Sequence, residues 1–193
     1  MKPNLFFIIT SLVFFMMGSG CAGMLPSVKQ SSKSPWESFE EAKRAFDKID
    51  AHKTTREDLK KLGFDPFETP NVKLITYLEL LVIFLPNQSI RMEDIEPGVQ
   101  ECLKARELCQ GYEVTPEVLN SKRYGNVFMD LFNFRRKKIT RGWRFNALIV
   151  LKDGFVVHKV WGGEPNVSEF EDKKNPLGPF QNIDNILPPI KLN

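Results

Sequence analysis

The sequence predicts an α+β domain in which two N-terminal helices pack on a small antiparallel β-sheet. Three observations support this fold class. Two short segments between residues 34 and 63 combine helix-capping residues with apolar residues at helical spacing. Segments after residue 126 are rich in aromatic and β-branched residues, as strands are. Lys152-Asp153-Gly154 is a hairpin signal between the last two of them. Helices covering one face of such a sheet form an economical α+β domain.

The first 20 residues have the pattern of an export signal. Lys2 gives a positive start, and the largely apolar run from Leu5 to Met17 is too short to span a bilayer comfortably. Small residues then precede Cys21, which predicts a signal peptide over 1–20, cleavage before Cys21 and lipidation of that cysteine. Gly18 stands where a lipobox normally carries Leu, Val or Ile. An ordinary secretory signal with an incidental cysteine is the alternative interpretation.

The residues after the cleavage site predict the location of the chain. Ala22 follows the cysteine in place of an Asp, which favours the outer membrane over retention in the inner membrane. Two acyl chains anchor stably, so we expect a lipid-anchored protein that faces the periplasm. Residues 21–33 are expected to form a flexible tether. The 27 Lys and Arg are interleaved with 24 Asp and Glu, and without a basic stripe no nucleic-acid partner is expected.

Two helices are expected at the start of the domain. The first is predicted to begin with Ser34 as its N-cap, with Glu37 completing a capping box. The second is predicted to begin at Thr54 and to end at Gly63. Apolar residues at helical spacing give each helix one buried face: Phe39, Ala42, Phe46 and Ile49 in the first, and Leu59 and Leu62 in the second.

The middle of the chain has weaker signals. Val72 to Leu85 is rich in apolar residues and is predicted to be strand in at least part. Residues 88–123 are interrupted by Pro and Gly and are interpreted as an insertion. Short helices are expected in it at Pro97 to Leu108 and near Pro116 to Asn120.

Cys102 and Cys109 are an even pair in an oxidising compartment, so a disulfide between them is expected. Seven residues of continuous helix would hold them about 10 Å apart, which is beyond the reach of a disulfide. A helix through this segment must therefore end or turn before Cys109. The pair lacks the CxxC spacing of a thiol-exchange enzyme, which favours a structural role.

The last part of the domain is predicted to be an antiparallel meander of three strands. Thr140-Arg141-Gly142 and Lys152-Asp153-Gly154 are the expected turns, and Gly162 to Pro165 is expected to end the last strand. The domain thus spans 34–165, and the tail over 166–193 has four prolines without periodicity and is expected to be extended or disordered. The three expected strands are Asn126 to Lys138, Trp143 to Leu151 and Phe155 to Trp161.

Short motifs in these elements resemble a known family. They are Lys53-Thr54-Thr55-Arg56-Glu57-Asp58-Leu59 with Leu62-Gly63, and the segments Trp143-Arg144-Phe145 and Val156 to Gly163. They resemble the SmpA/OmlA (BamE-like) outer-membrane lipoproteins, in which two helices precede a three-stranded antiparallel sheet. Residues 88–123 and the tail lie outside the resemblance. It implies a non-catalytic lipoprotein that supports outer-membrane assembly or integrity by binding envelope proteins, with β-barrel assembly components as candidate partners.

No motif predicts catalysis. A nucleophile elbow, an HExxH sequence and a phosphate loop are all missing, so no catalytic residue, metal or cofactor is expected. His158 is interpreted as a strand-face residue. Trp161, beside two glycines, is a candidate partner-binding residue because Trp is enriched in binding hot spots. Arg135 and Arg136 are further candidates, since their basic run suits anionic headgroups as well as protection of a strand end.

Two other classes of function stay open. One is an envelope enzyme acting on peptidoglycan or lipid, which loss of function after substitution of His158 would favour. The other is a proteinaceous inhibitor of a periplasmic hydrolase, since a small helix-on-sheet domain is able to plug an active site. Tight one-to-one binding to a hydrolase would favour the inhibitor.

Overall fold

The structure, a computed structural model, describes residues 25–31 and 34–178. The expected signal peptide, the expected lipidation site Cys21 and part of the expected tether lie outside these residues, while Ser27–Ser31 of the expected flexible tether form a strand of the sheet. Residues 179–193 of the expected tail also lie outside them. Among the described residues, no helix combines the length and apolar character needed to cross a bilayer.

Six strands and five α-helices make up the regular structure of the described residues, together with two single turns of 3₁₀ helix at Met92–Asp94 and Arg106–Leu108. The strands are β1 (Ser27–Ser31), β2 (Val72–Thr76), β3 (Cys109–Val114), β4 (Glu117–Tyr124), β5 (Arg135–Lys152) and β6 (Phe155–Lys174). The helices are α1 (Phe39–Asp47), α2 (Arg56–Lys61), α3 (Tyr77–Phe84), α4 (Pro97–Ala105) and α5 (Val127–Leu131).

The strands form one antiparallel sheet with β5 as its central member. The strand order is β1-β4-β5-β3-β2, and β6 also pairs with β5. The register of β2 on β3 starts with Val72 opposite Val114, and that of β3 on β5 starts with Cys109 opposite Lys152. The 18 residues of β5 are long enough to pair with several partners along their length.

The predicted fold class, two N-terminal helices packed on a small BamE-like sheet, is wrong. The chain is dominated by a six-stranded antiparallel sheet, with helices distributed between the strands. Two segments account for most of the difference. Residues 109–124, which were expected to belong to an irregular insertion, form β3 and β4. The segment after Phe155 forms a strand of 20 residues, where a strand of seven was expected.

The described residues divide into two compact units. The larger unit consists of residues 29–120 and 141–168, and the smaller unit contains residues 25–28, 121–140 and 169–178. Strands β1, β4, β5 and β6 each contribute residues to both units.

In the larger unit, helices cover both faces of the sheet. Successive side chains of a strand point to opposite faces, and those of β5 alternate between two hydrophobic clusters. The first cluster joins Phe145, Ala147 and Ile149 to residues of α1 and α2, including Phe39, Phe46 and Leu59. The second joins Leu148 and Val150 to residues of α3 and α4, including Leu80, Val99 and Leu103. The expectation of helices on a single face is therefore also corrected.

The first helix begins four residues later than predicted. Its N-cap is Ser38, whose hydroxyl accepts a hydrogen bond from Glu41 N at 3.2 Å. Ser34 instead accepts one from Trp36 N, and the Trp36 ring packs 4.7 Å from that of Phe64. Burial of Trp36 thus fixes a turn ahead of the helix, where Ser34 and Glu37 were expected to form a capping box.

The second helix lies where it was predicted, displaced by one residue. Thr55 is its N-cap and forms a capping box with Asp58, whereas Thr54 and Glu57 were expected in these roles. The Thr54 hydroxyl accepts a hydrogen bond from Asp50 N at 2.8 Å. Gly63 follows the helix with φ of 92°, a conformation in which glycine is favoured, so the predicted end is confirmed.

Four predictions fail between residues 116 and 165. Pro116 to Asn120, expected to be helical, runs into β4. Asn126, expected to open a strand, is the N-cap of α5, and its side chain accepts hydrogen bonds from Phe128 N and Met129 N. The expected turn at Thr140-Arg141-Gly142 lies inside β5. The expected stop at Gly162 to Pro165 lies inside β6, which continues to Lys174 and so includes residues of the expected tail.

Gly142 and Gly163 account for the wrong predictions of a turn at 140–142 and of a strand end at 162–165. A Cβ on Gly142 would lie 1.8 Å from the carbonyl oxygen of Val118, and a Cβ on Gly163 would lie 2.3 Å from that of Arg144. Both glycines therefore allow neighbouring backbone to approach closely within the sheet. The hairpin at Lys152-Asp153-Gly154 is confirmed, with positive φ at Asp153 and Gly154 as a type I′ turn requires.

The structure pairs Cys102 with Cys109, with their Cα atoms 4.8 Å apart. The expected helix over Pro97 to Leu108 is present as α4 and one 3₁₀ turn, and the chain reverses at Arg106, which has a positive φ. The predicted end of the helix ahead of Cys109 is confirmed. Both cysteines are buried in the second cluster, next to Leu103 and Val150.

Candidate functional site

Helix α3 exposes apolar side chains on the face that points away from the sheet. Tyr77, Leu80, Leu81 and Phe84 lie at helical spacing and pack in the second cluster. On the other side, Val82 is 70% exposed and Leu78 is 58% exposed. A helix that is apolar all round is normally buried on all sides. Within the larger unit, α3 is buried on only one side.

The start of α3 is firmly held. Glu79 Oε2 accepts a hydrogen bond from Thr76 N at 2.9 Å, and the Thr76 hydroxyl accepts one from Glu79 N. The Thr76 backbone donor and the Lys73 ammonium at 3.0 Å lower the pKa of Glu79 below its ordinary value. The carboxylate therefore stays ionised at neutral pH, and the capping box keeps the exposed side chains in a fixed orientation.

A groove adjoins the end of α3. It has a volume of about 580 Å³ and is bounded by Ile83 of α3, by residues of β3 and β5, and by Val160 and Trp161 of β6. Leu148 contributes an apolar surface, while Glu113 and Asn146 contribute polar groups. Ile83, Val160 and Trp161 are all exposed. We call this groove together with Leu78 and Val82 the α3 surface.

Trp161, a predicted partner-binding residue, lies at one end of the α3 surface. Its ring is stacked on that of Phe145 at 6.2 Å and meets the Phe39 ring edge-on at 6.0 Å. The Lys43 ammonium lies 4.6 Å from the ring centroid, within the range of a cation–π contact. Trp161 is still 45% exposed, so it is attached to the first cluster while presenting part of its ring to the groove.

Arg135 and Arg136, the other predicted partner-binding residues, form ion pairs within the smaller unit. Arg135 binds Asp172 through two hydrogen bonds of 2.9 and 2.6 Å. The guanidinium lowers the pKa of Asp172, and the carboxylate raises that of Arg135. Arg136 Nε lies 3.7 Å from the buried carboxylate of Asp130. Both side chains are thus oriented by carboxylates of the same chain.

His158 lies on β6 within the larger unit. Its Nδ1 faces the Glu96 carboxylate, and its ring meets that of Phe84 edge-on at 5.9 Å. The histidine side chain is mostly buried, whereas Glu96 is largely exposed. This pair connects β6 with the segment ahead of α4. In the part of the chain that the structure describes, no group of three or more His, Cys, Asp or Glu is arranged to hold a metal ion.

Comparisons with family models, curated proteins and solved structures found no match to this chain.

One side of the α3 surface was predictable from the sequence, and the other side was not. Trp161 was selected for its residue type. Leu78 and Val82 were not, because their segment was interpreted as a buried strand. A signal for the helix was present in the Thr76-to-Glu79 spacing, which is that of a capping box. The residues after this capping box are almost all apolar, so the helix that it starts has no side made of polar residues. Such a helix is either buried on all sides or exposes apolar side chains.

Proposed function

We propose that this chain is a non-catalytic envelope lipoprotein whose domain binds another protein through the α3 surface. The observation that carries the proposal is the exposed apolar side of α3. Leu78, Val82 and Ile83 project from a helix that is fixed at its start by a capping box and on its inner side by Leu80. The partner that fits is an envelope protein with an apolar segment able to cover them.

The chemistry of the α3 surface supports a protein partner. Covering one Val, Leu or Ile side chain fully contributes about 1.5–3 kcal/mol, so three adjacent ones supply a sizeable apolar contact. The groove next to them adds an aromatic ring, from Trp161, and polar groups at Glu113 and Asn146. Exposed apolar patches rimmed by polar residues are typical of protein interaction sites.

The envelope location and the lipid anchor rest on the sequence around Cys21. The particular candidate partners, outer-membrane β-barrel assembly components, rest on the sequence resemblance alone. A Cys21→Ser variant tests the anchor. We expect this variant to lose its membrane association after a high-salt wash, which removes chains held by charge alone. If it stays in the washed membranes as fully as the unchanged chain does, contacts of the domain hold it there without a lipid, and Cys21 is not required as an anchor.

Photo-crosslinking in living cells tests the docking surface. A photoreactive amino acid is placed at position 82 or at position 161, and the matched control is position 108. Leu108 belongs to the same unit and is 58% exposed, like Leu78. We expect positions 82 and 161 to capture the same envelope protein and position 108 to capture none of it.

Two variants complete this experiment. Val82→Glu places a charge on the α3 surface, and we expect it to abolish capture from position 161 while the melting temperature stays unchanged. His158→Gln is expected to leave capture and cellular function intact. The proposal is wrong if Val82→Glu has no effect on capture, or if position 108 captures the same protein equally well. Loss of function in His158→Gln with capture intact would favour the envelope enzyme instead.

A further inference from the structure

The smaller unit contains a second exposed apolar surface. The backbone N–H of Asn175 donates to Phe134 O at 2.8 Å, and its side-chain amide donates to Asn133 O at 3.0 Å. These bonds place the residues that follow β6 beside those that follow α5. We call Val127–Phe134 together with Lys173–Leu177 the α5 tip.

The α5 tip presents large apolar side chains to solvent. Leu131 is 74% exposed and Phe128 is 68% exposed, and the Phe128 ring packs 4.6 Å from that of Phe132. Met129, Phe134 and Leu177 are exposed as well. Exposed apolar patches of this kind mark sites that bind a protein or a membrane. The α5 helix has only five residues, and little of its own surface is buried to offset the exposure of these side chains to water.

The one carboxylate on α5 points inward. Asp130 is buried, and its Oδ1 lies 3.2 Å from Arg123 Nη1 and 3.7 Å from Arg136 Nε. The side-chain oxygen of Asn126 caps the helix by accepting hydrogen bonds from Phe128 N at 2.9 Å and from Met129 N at 3.1 Å. Ion pairs of Asp130 therefore hold the inner side of the helix, and its solvent-facing side carries apolar side chains and no carboxylate.

The unit that carries this apolar surface has more positive than negative residues. Residues 121–140 and 169–178 contain eight Lys and Arg against four Asp and Glu, while residues 29–120 and 141–168 contain 17 against 19. Lys122, Lys173 and Lys174 are exposed and form no ion pair with another residue that the structure describes. The excess of positive charge thus lies in the unit that carries the α5 tip.

We propose that the α5 tip binds the surface of a bilayer that contains anionic phospholipids. Phe128 and Leu131 enter the interface between headgroups and acyl chains, and the neighbouring lysines contact the phosphates. Apolar and aromatic side chains combined with Lys and Arg are the features of interfacial membrane binding. The charge complementarity selects an anionic bilayer as the occupant. This contact is separate from the α3 surface and from any lipid on Cys21.

A fluorescent reporter in the full chain tests the contact locally. An environment-sensitive fluorescent amino acid is placed at position 131 or, as the control, at the exposed position 108 of the larger unit. Each chain is mixed with vesicles of phosphatidylcholine, with or without phosphatidylglycerol. We expect a blue shift at position 131 with phosphatidylglycerol vesicles, a weaker one without that lipid, and none at position 108.

Charge variants identify the groups that attract the lipid. Each Lys or Arg near an anionic surface strengthens binding about fivefold, so Lys173→Ala/Lys174→Ala is expected to weaken partitioning about 25-fold. Lys48→Ala/Lys53→Ala removes the same charge from exposed positions of the larger unit and is expected to leave partitioning within about twofold. The proposal is overturned if position 131 does not respond to phosphatidylglycerol, if both pairs of substitutions act equally, or if position 131 is shielded only when an added envelope protein is present.

Discussion

Asp65 shows how a single carboxylate stabilises the end of α2. Its Oδ1 accepts a hydrogen bond from Phe67 N at 2.9 Å, and its Oδ2 lies 3.3 Å from the Lys60 ammonium. The backbone donor at Phe67 lowers the pKa of Asp65 most strongly, Lys60 lowers it further, and burial opposes both. The ionised carboxylate is therefore more favourable in the folded chain than in the unfolded one.

The lowered pKa predicts a pH-dependent effect of Asp65→Asn. At neutral pH we expect the variant to lose about 1 kcal/mol of unfolding free energy, because the amide oxygen is still able to accept from Phe67 N but no longer carries the charge that strengthens this bond and pairs with Lys60. A carboxyl group with a lowered folded-state pKa stabilises above its unfolded pKa, and this stabilisation is lost as the pH falls through the folded pKa. The difference in unfolding free energy between Asp65→Asn and the unchanged chain should thus become smaller below about pH 4. Urea unfolding of both chains between neutral pH and about pH 3 measures this difference. A difference that does not change with pH would contradict the lowered pKa of Asp65.

Gly142 and Gly162 form a matched pair on neighbouring strands. A Cβ on Gly142 would meet the Val118 carbonyl oxygen, whereas a Cβ on Gly162 would meet nothing within 4 Å. We expect Gly142→Ala to lower the unfolding free energy by about 1–3 kcal/mol, as overpacking does. Gly162→Ala is expected to change it by no more than about 0.5 kcal/mol. Equal effects of the two substitutions in urea unfolding would show that β4 and β5 do not approach so closely at Gly142.

At the scale of elements, α3 separates residues that hold the fold from residues available to a partner. Leu80 is fully buried in the second cluster, and Val82 is exposed two positions later. We expect Leu80→Ala to cost about 2–5 kcal/mol of unfolding free energy and Val82→Ala to change it by less than about 0.5 kcal/mol. Thermal unfolding of both variants measures this. A large loss in Val82→Ala would mean that Val82 belongs to the core.

Elements with local signals were predictable from the sequence. The position of α2 to within one residue, the hairpin turn at Asp153-Gly154 and the pairing of Cys102 with Cys109 each depend on a few neighbouring residues. The N-cap of α1 was not predictable to the residue, because Ser34 and Ser38 both suit that position. The choice between them depends on the distant packing of Trp36 on Phe64.

The extent of the sheet depends on contacts between distant segments. Gly142 and Gly163 look like turn residues in the sequence, yet both lie within strands whose neighbours approach closely. Val72 to Leu85 changes from strand to helix at Thr76-Tyr77, where the capping box and the pairing of β2 with β3 meet. An apolar run of this kind has no periodicity that distinguishes a strand from a buried helix.

At the scale of the whole molecule, the chain carries two apolar surfaces of different character. The α3 surface has a groove with one carboxylate and lies in the unit without excess positive charge. The α5 tip has exposed aromatic side chains and lies in the unit with an excess of lysines and arginines. Of the α3 surface, only Trp161 was predicted from the sequence by its residue type, whereas the other two predicted residues, Arg135 and Arg136, form ion pairs in the smaller unit. The helices that expose Val82 and Leu131 were not predicted, because both of their segments were expected to be strands.

Hydroxyl-radical footprinting of side chains tests the central claim, that the exposed side of α3 is a protein-docking surface. The oxidation rates of Leu78 and Val82 are compared between the purified chain and the chain in its native envelope, with Leu108 as the exposed reference. We predict that Leu78 and Val82 react rapidly in the purified chain and are protected in the envelope, while Leu108 reacts equally in both. Equal reactivity of Val82 in the two preparations would contradict the claim.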